Sequence, residues 1–257
     1  MFKFVRIAIL LIVLASVWGT YNTQKNVTRD WQGVLSISII PVIADDKAKT
    51  KSFVANIKLK RFDEIAKYLQ TNARRFGRNL ESSIDIRLEP TIDNAPPDRP
   101  APNASVLSRM FWSLQLRWWA WNNQPKDNSD DRIRLYVLYQ SPDRRTALPH
   151  STGLQNGLIG LIYARAESAD RRLHNVIITH ELLHTFGASD KYDLRTGQPV
   201  FPQGYADPDR TPVVPQQFAE IMGRGIPVSS NQHVVATRLS KTRVGKLTAS
   251  EIGWLDE

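Results

Sequence analysis

The order of predicted elements indicates an α/β or α+β fold, in which strands and a long helix precede a loop-rich C-terminal subdomain. Up to about residue 187, short β-branched apolar runs alternate with segments of helical apolar spacing. Beyond that point regular patterns fade, and five prolines lie between residues 199 and 215. The long helix ends immediately before this change, which places a boundary between two parts of one domain there.

The individual elements follow from local patterns. Residues 34–42 are apolar and β-branched, which is typical of a buried strand. Asp63 is a candidate cap for a helix whose apolar positions include Ile65 and Leu69. Prolines between residues 90 and 102 indicate an irregular connection. We predict strands at residues 34–42, 84–88, 133–139 and 157–165, and helices at residues 63–76, 105–121, 169–186 and 248–255.

The helix at residues 105–121 is unusually rich in large side chains. We interpret these side chains as part of the core, because aromatic residues bury most area in protein interiors. The alternative is an aromatic surface that faces a membrane or a substrate. The residues concerned are Met110, Phe111, Trp112, Trp118 and Trp119.

The N-terminus carries an export signal. Lys3 and Arg6 precede an apolar run over residues 7–19, and no further charge occurs before Lys25. The run has the length of a signal-peptide core, and the longer uncharged stretch also fits a membrane anchor. We therefore predict a signal peptide or N-terminal membrane anchor at residues 1–24 and one domain at residues 25–257. That domain is expected outside the cytoplasm, membrane-anchored, periplasmic or secreted.

Composition limits the classes of function. The 257 residues include no cysteine, which excludes disulfides and thiolate metal ligands. The net charge is +9, but the Lys and Arg residues are dispersed and accompany no nucleic-acid-binding motif. We expect no nucleic-acid partner. An anionic membrane surface or an acidic envelope polymer is the more suitable partner for an exported basic protein.

Residues 180–190 contain H-E-x-x-H, followed by a glycine and an aspartate. On a helix, His180 and His184 lie on one face and can direct imidazole nitrogens at one ion. A catalytic zinc takes three protein ligands, and a left-handed turn at Gly187 would bring Asp190 back as the third. Glu181 would then take a proton from water at the open position. Glu220 and Asp193 are competing candidates for the third ligand.

The motif resembles that of the metzincin metallopeptidases, in the form that uses aspartate as third ligand. The run Asp190-Lys191-Tyr192-Asp193 is similar to that of immune-inhibitor-A-like peptidases. Met222, followed by glycines, resembles the methionine turn that metzincins place beneath the metal. Some metzincins carry a zinc-facing tyrosine two residues later, where this chain has Arg224. Tyr192 and Tyr205 are therefore the candidates for stabilising the transition state.

The resemblance implies a metzincin-like α+β fold, with a mixed, twisted sheet, an antiparallel edge strand and an active-site helix before the loop-rich subdomain. It also implies a zinc-dependent metalloendopeptidase that cleaves proteins or peptides, with an upper lobe at about residues 30–187 and a lower lobe at about residues 188–257. Zn²⁺ is the expected cofactor, and two imidazoles with one carboxylate also suit iron or manganese. The alternative is a non-catalytic envelope-binding protein that keeps the fold. In the enzymatic interpretation, an antiparallel edge strand before the active-site helix binds substrate as an added strand. We assign that strand to Leu158, Ile159, Gly160 and Leu161.

Overall fold

A five-stranded sheet organises the structure, a computed structural model that describes residues 31, 33–80, 84–101, 103–125, 132–141, 143, 148–155 and 158–255. The predicted signal peptide or anchor at residues 1–24 lies outside the described residues. The strand order is β2-β1-β3-β5-β4. The strands are β1 (Leu35–Ile43), β2 (Ile84–Leu88), β3 (Ile133–Gln140), β4 (Thr152–Leu154) and β5 (Ile159–Arg165).

The sheet is mostly parallel. β1 lies between β2 and β3 and is parallel to both, with Ile37 opposite Ile86 and Ile133. β5 continues the parallel pairing on β3, and β4 pairs with β5 in the antiparallel sense. This mixed architecture with an antiparallel edge strand confirms the predicted α+β class.

Helices cover both faces of the sheet. Four of them correspond to predicted helices within a few residues at each end, and the short first helix was not predicted. They are α1 (Ala48–Ala55), α2 (Asp63–Arg74), α3 (Val106–Asn122), α4 (Arg171–Thr185) and α5 (Lys246–Glu251).

The three inner strands β1, β3 and β5 contribute to two cores because successive side chains point to opposite faces of a sheet. Ile37 and Ile39 join the larger core, which is formed with α2, α4 and the C-terminal region. Ile40 and Val42 join a smaller core beneath α3. β1 is therefore buried on both sides, which explains why its sequence is a continuous apolar run rather than an alternating one.

The edge strand is not the one predicted. Residues 159–161 belong to β5, which lies between β3 and β4 and pairs with both. Leu158 precedes the strand with a positive φ of 51° and is buried. The assignment of Leu158, Ile159, Gly160 and Leu161 to an edge is therefore wrong, since β4, only three residues long, covers that side of β5. A strand this short gives little signal in the sequence.

The interpretation of α3 as a core helix is wrong for most of its large side chains. Trp119 is buried and Trp112 is partly buried, whereas Met110, Phe111 and Trp118 are each more than half exposed. Only one side of the helix contacts the sheet, through Leu116, Trp119 and Ala120.

The region after α4 consists of loops and two small sheets. β6 (Ala219–Glu220) pairs with β9 (Thr242–Arg243), and β7 (Gly225–Pro227) pairs with β8 (His233–Val235). α5 and the buried Trp254 attach this region to the larger core. Within the described part of the chain, no helix has both the length and the apolar character needed to cross a membrane.

Candidate metal site

Helix α4 presents two histidines side by side. His180 and His184 are one turn apart, and their Nε2 atoms lie 3.1 Å from each other. The opposite side of the same helix is buried in the larger core through Ile178, Leu182 and Leu183. This packing fixes the rotation of the helix, so that both imidazoles face the same space beside the loop that follows α4.

Gly187 ends the helix as the sequence predicts. Its φ is +99°, and the N–H groups of Gly187 and Ala188 donate to the carbonyls of His184 and Leu183 at 3.0 Å each. This is the paired hydrogen-bond pattern of a Schellman C-cap, which favours glycine at the left-handed position. The turn reverses the chain direction and returns it toward the histidine face.

Asp190 completes a three-residue group. Its Oδ1 lies 3.2 Å from Nε2 of His180 and 3.2 Å from Nε2 of His184. The side chains of His180, His184 and Asp190 are 16%, 18% and 29% exposed, so the group is partly accessible to solvent rather than sealed in the core. Among the described residues, these three form a group with metal-ligand spacing.

Backbone carbonyls set the tautomers of both imidazoles. Nδ1 of His180 lies 3.0 Å from the carbonyl oxygen of Ile221, and Nδ1 of His184 lies 2.7 Å from that of Ala188. Because a carbonyl can only accept, each Nδ1 carries the hydrogen, and a neutral imidazole then directs the lone pair of Nε2 at the group. With Asp190 Oδ1, three electron pairs converge within 3.2 Å, an arrangement that either a metal ion or a proton shared between a histidine and Asp190 can stabilise.

The spacing fits zinc. Ligands about 2.05 Å from a tetrahedral zinc are about 3.3 Å apart, close to the separations of 3.1 and 3.2 Å seen here. Two imidazoles and one carboxylate form a donor set that zinc accepts, with a fourth position left for water or substrate. Imidazoles held through Nδ1 by carbonyls are also the usual outer support of metal-binding histidines.

The charges within the group are strongly coupled. Burial disfavours charge on both His180 and Asp190, but their mutual contact outweighs it. The hydrogen bond from His180 to Asp190 raises the pKa of His180, and both histidines hold the pKa of Asp190 well below its ordinary value. The site therefore keeps an ionised carboxylate next to the histidines.

Glu181 is buried beside the group. Its Oε2 has no hydrogen-bond partner among the described residues, and burial raises the pKa of its carboxyl. His180, His184 and the backbone N–H of Gly153 act in the opposite direction and stabilise the carboxylate. An unpartnered carboxylate oxygen in a nearly dry place is suited to exchanging a proton with a bound molecule.

Gly153 allows the edge strand to lie directly on the helix. A Cβ at Gly153 would be 2.2 Å from the carbonyl oxygen of Glu181 and 2.6 Å from Cβ of His184. Sequence reasoning missed this residue, because nothing near Gly153 indicates what it will pack against. The contact places the backbone of β4 at the rim of the histidine group.

The turn around Met222 lies under the site. Met222 is fully buried, its carbonyl accepts from the N–H of Lys191 at 2.9 Å, and the preceding carbonyl of Ile221 holds His180. Glu220 fixes this turn from within. Its carboxylate accepts from the N–H of Met222 at 2.5 Å, from the N–H of Gly245 at 3.0 Å and from Thr248 Oγ1 at 2.8 Å.

Neither competing ligand reaches the histidines. Glu220 is fully buried, and both of its carboxylate oxygens are occupied, Oε2 by the N–H of Met222 and Oε1 by Gly245 and Thr248. Asp193 accepts from the backbone N–H groups of Arg195 and Thr196 at 2.9 and 2.7 Å, and so caps its own exposed loop. Of the three carboxylates considered, the structure brings only Asp190 to the histidines.

The two candidate tyrosines are placed differently. Burial and the negative charge of Asp190 raise the pKa of Tyr192, which hydrogen-bonds to Asp190 and lies beneath the guanidinium of Arg224, 5.5 Å from the ring centroid. Tyr205 packs edge-on against Phe201 at 5.2 Å and bridges to Ala219. Tyr192 is thus a neighbour of the group, whereas the recorded contacts of Tyr205 belong to the surrounding loops.

Lys191 forms an anchor for the ligand loop that the sequence did not reveal. Its side chain is 3% exposed, and Nζ donates to Glu251 Oε2 at 2.6 Å and to the carbonyl of Ser189 at 2.8 Å. Glu251 also accepts from the N–H and hydroxyl of Ser189. The residues on both sides of Asp190 are therefore tied to α5.

Comparisons with known proteins do not assign the chain to a family. No family model matches it, and no curated protein matches its sequence. One solved structure with some similarity is described as "Structure of a chaperone-substrate complex", with 14% identity and a TM-score of 0.43. The match covers 86% of this chain, and this chain spans about a third, 33%, of that protein.

Proposed function

We propose that this protein is a zinc-dependent metalloendopeptidase of the metzincin type that hydrolyses peptide bonds outside the cytoplasm. The observation that supports this most directly is the convergence of His180, His184 and Asp190 at 3.1 to 3.2 Å, with the buried Glu181 beside them. The Met222 turn that supports His180 through Ile221 adds to it. The donor set, the base and the turn therefore lie next to one another.

Zinc held by His180, His184 and Asp190 would supply Lewis acidity to water and to a peptide carbonyl. Glu181 then performs the proton chemistry. Its free Oε2 takes a proton from the attacking water and delivers it to the nitrogen of the departing amine. The Gly153 N–H and the imidazoles stabilise the carboxylate form that must exist before each transfer.

We further propose that the substrate lies along β4 rather than along residues 158–161. β4 is the edge of the sheet, and an extended peptide can add to an edge through backbone hydrogen bonds. Gly153 brings this edge against the Glu181 backbone. A peptide paired with β4 would therefore pass directly over the proton acceptor.

Tyr192 is the better of the two candidates for stabilising the developing oxyanion. Its hydroxyl is next to Asp190, and the Arg224 guanidinium stacks on its ring. In some metzincins a tyrosine occupies the position of Arg224. Here Arg224 instead stacks on Tyr192, a tyrosine that comes from a different loop.

The decisive experiment compares the Glu181→Gln variant with wild type in the hydrolysis of casein labelled with self-quenched fluorescein. Bound zinc is measured in parallel. We expect the variant to lose activity by a factor of at least about 100 while zinc content stays near one per chain, because general-base removal costs roughly 10²- to 10⁴-fold. Asp46→Asn, which neutralises a fully exposed carboxylate just before α1, is the matched control and should behave as wild type.

Two other outcomes would point elsewhere. Equal turnover by wild type and Glu181→Gln would remove Glu181 from the mechanism. Bound zinc without turnover of casein or of any peptide in a random-sequence library would favour the alternative, a non-catalytic envelope-binding protein that keeps the metal.

A further inference from the structure

Helix α3 carries an apolar surface that no other element of the described residues covers. Seven of the sixteen exposed large hydrophobic side chains among the described residues lie on this one helix, each 58% to 76% exposed. Helices α2 and α4 contribute none. We call this surface the outer face of α3; it comprises Val106, Leu107, Met110, Phe111, Leu114, Trp118 and Trp121.

The outer face runs along the whole helix. With 100° between successive residues, these seven positions span an arc of about 140°, and Arg117 is the one other residue of α3 within that arc, near its edge. Isolated exposed hydrophobic residues are normal, but a contiguous stripe of Trp, Phe, Leu and Met on one helix marks a contact with something else.

The helix cannot rotate to bury this face, because its opposite side is fixed. Leu116, Trp119 and Ala120 are buried against the sheet, and the carbonyl of Ala120 accepts from the hydroxyl of Tyr136 at 3.0 Å. The indole N–H of Trp119 donates to the carbonyl of Asn94 at 3.2 Å, and that of Trp112 donates to the carbonyl of Pro97 at 3.1 Å. Exposure of the outer face is therefore built into the fold.

The charges on α3 itself indicate the kind of partner. The helix carries Arg109 and Arg117 but no Asp or Glu, and the acidic residues nearest in sequence, Asp98 and Asp127, lie outside it. Arg109 and Arg117 are exposed on the helix itself. A helix with Trp, Phe and Leu on its free face and only cations among its charged residues has the composition of helices that lie in the surface of anionic bilayers.

A second copy of the chain fits this face less well. A two-fold contact between two outer faces would place Arg117 of each copy against an apolar face that offers no acidic residue of α3 to pair with it. In addition, the apolar run at residues 7–19 directs the chain to a membrane whether it acts as a signal peptide or as an anchor.

We infer that the outer face of α3 docks on an anionic lipid bilayer, with its side chains among the headgroups and the first acyl carbons, about 5 to 10 Å deep. α3 and α4 cover opposite faces of the sheet. Docking through α3 therefore leaves the metal site on the other side of the molecule. This inference does not depend on whether the metal site is catalytic.

The chain contains no cysteine, which permits a direct test on the full-length protein. Leu114→Cys on the outer face and Leu194→Cys, an 81% exposed control in the loop after Asp190, are each labelled with a nitroxide. Collisions with oxygen and with a water-soluble nickel chelate are measured on vesicles of phosphatidylcholine and phosphatidylglycerol. Thermal unfolding of both variants checks that the fold is intact.

Docking predicts that the label at position 114 gains collisions with oxygen and loses collisions with nickel when vesicles are added, whereas the label at position 194 does not change. Adding Arg117→Glu to Leu114→Cys should reduce this shift. If the label at position 114 stays accessible to nickel, the inference is wrong. Low collision rates with both reagents would also overturn it, since they would mean that protein, either a second copy or another segment of the chain, covers α3.

Discussion

A Cβ atom at Gly153 would lie 2.2 Å from the carbonyl oxygen of Glu181, so the edge strand and the histidine helix touch without an intervening side chain. Real Cβ atoms do not approach backbone atoms so closely, and a larger residue must separate β4 from α4. This contact couples the proposed substrate strand to the proposed catalytic residue.

Gly153→Ala should therefore lower both stability and activity. We expect the free energy of unfolding to fall by about 1 to 3 kcal/mol, the range for overpacking a tight contact. Hydrolysis should fall further than stability explains, because β4 shifts relative to Glu181. Urea unfolding and casein hydrolysis check the two effects. Gly33→Ala is the control, since a Cβ there meets nothing within 4 Å, and both values should remain unchanged.

Asp190→Ala should remove the metal. Loss of one of three ligands is expected to weaken zinc binding by more than the roughly 10- to 100-fold typical of outer-sphere changes. Elemental analysis and competition with a chelator measure this. Asp193→Ala is the matched control, because Asp193 caps its own loop and should leave zinc content intact. Zinc that persists in Asp190→Ala would mean that a different donor completes the site.

Lys191→Met should destabilise the protein by about 3 kcal/mol. Removing one partner of a buried ion pair leaves the other charge uncompensated, and Glu251 is only 22% exposed. Chemical unfolding measures the change. Lys246→Met is the control, because this 83% exposed lysine contacts Asp209 only at the surface. Its free energy of unfolding should differ from that of wild type by no more than about 0.5 kcal/mol. Similar losses in the two variants would argue against a structural role for the Lys191 pair.

Stability should decrease between pH 6.5 and pH 4 because of His174. Burial and the nearby Arg61 lower the pKa of His174 to about 4, against 6.5 for an ordinary imidazole. In this window the unfolded chain binds the proton and the folded chain does not, so stability is lost as pH falls. Across the whole window, this effect lowers the free energy of unfolding by about 3 kcal/mol.

The measurement is urea unfolding of the zinc-free protein at several pH values, comparing wild type with His174→Gln. Subtracting the two curves removes the contributions of the other titrating groups. A difference that does not vary with pH across this window would show that His174 is not held neutral in the folded state.

The local parts of the site could be predicted from the sequence because they depend on a few neighbouring residues. The four-residue spacing of His180 and His184 places them on one helix face, and Gly187 supplies the left-handed turn that the structure contains. The main strands and helices were likewise visible from their apolar patterns.

Only the tertiary structure decided between Asp190, Asp193 and Glu220, and only it identified the edge strand. His180 is held by Ile221, 41 residues away, and Lys191 by Glu251, 60 residues away. The exposure of the outer face of α3 could not be predicted from the sequence either, since its side chains resemble those of a core helix. Helix spacing and turn chemistry are encoded within one or two turns, whereas burial and strand order depend on which distant segments pack together, and no local pattern specifies that pairing.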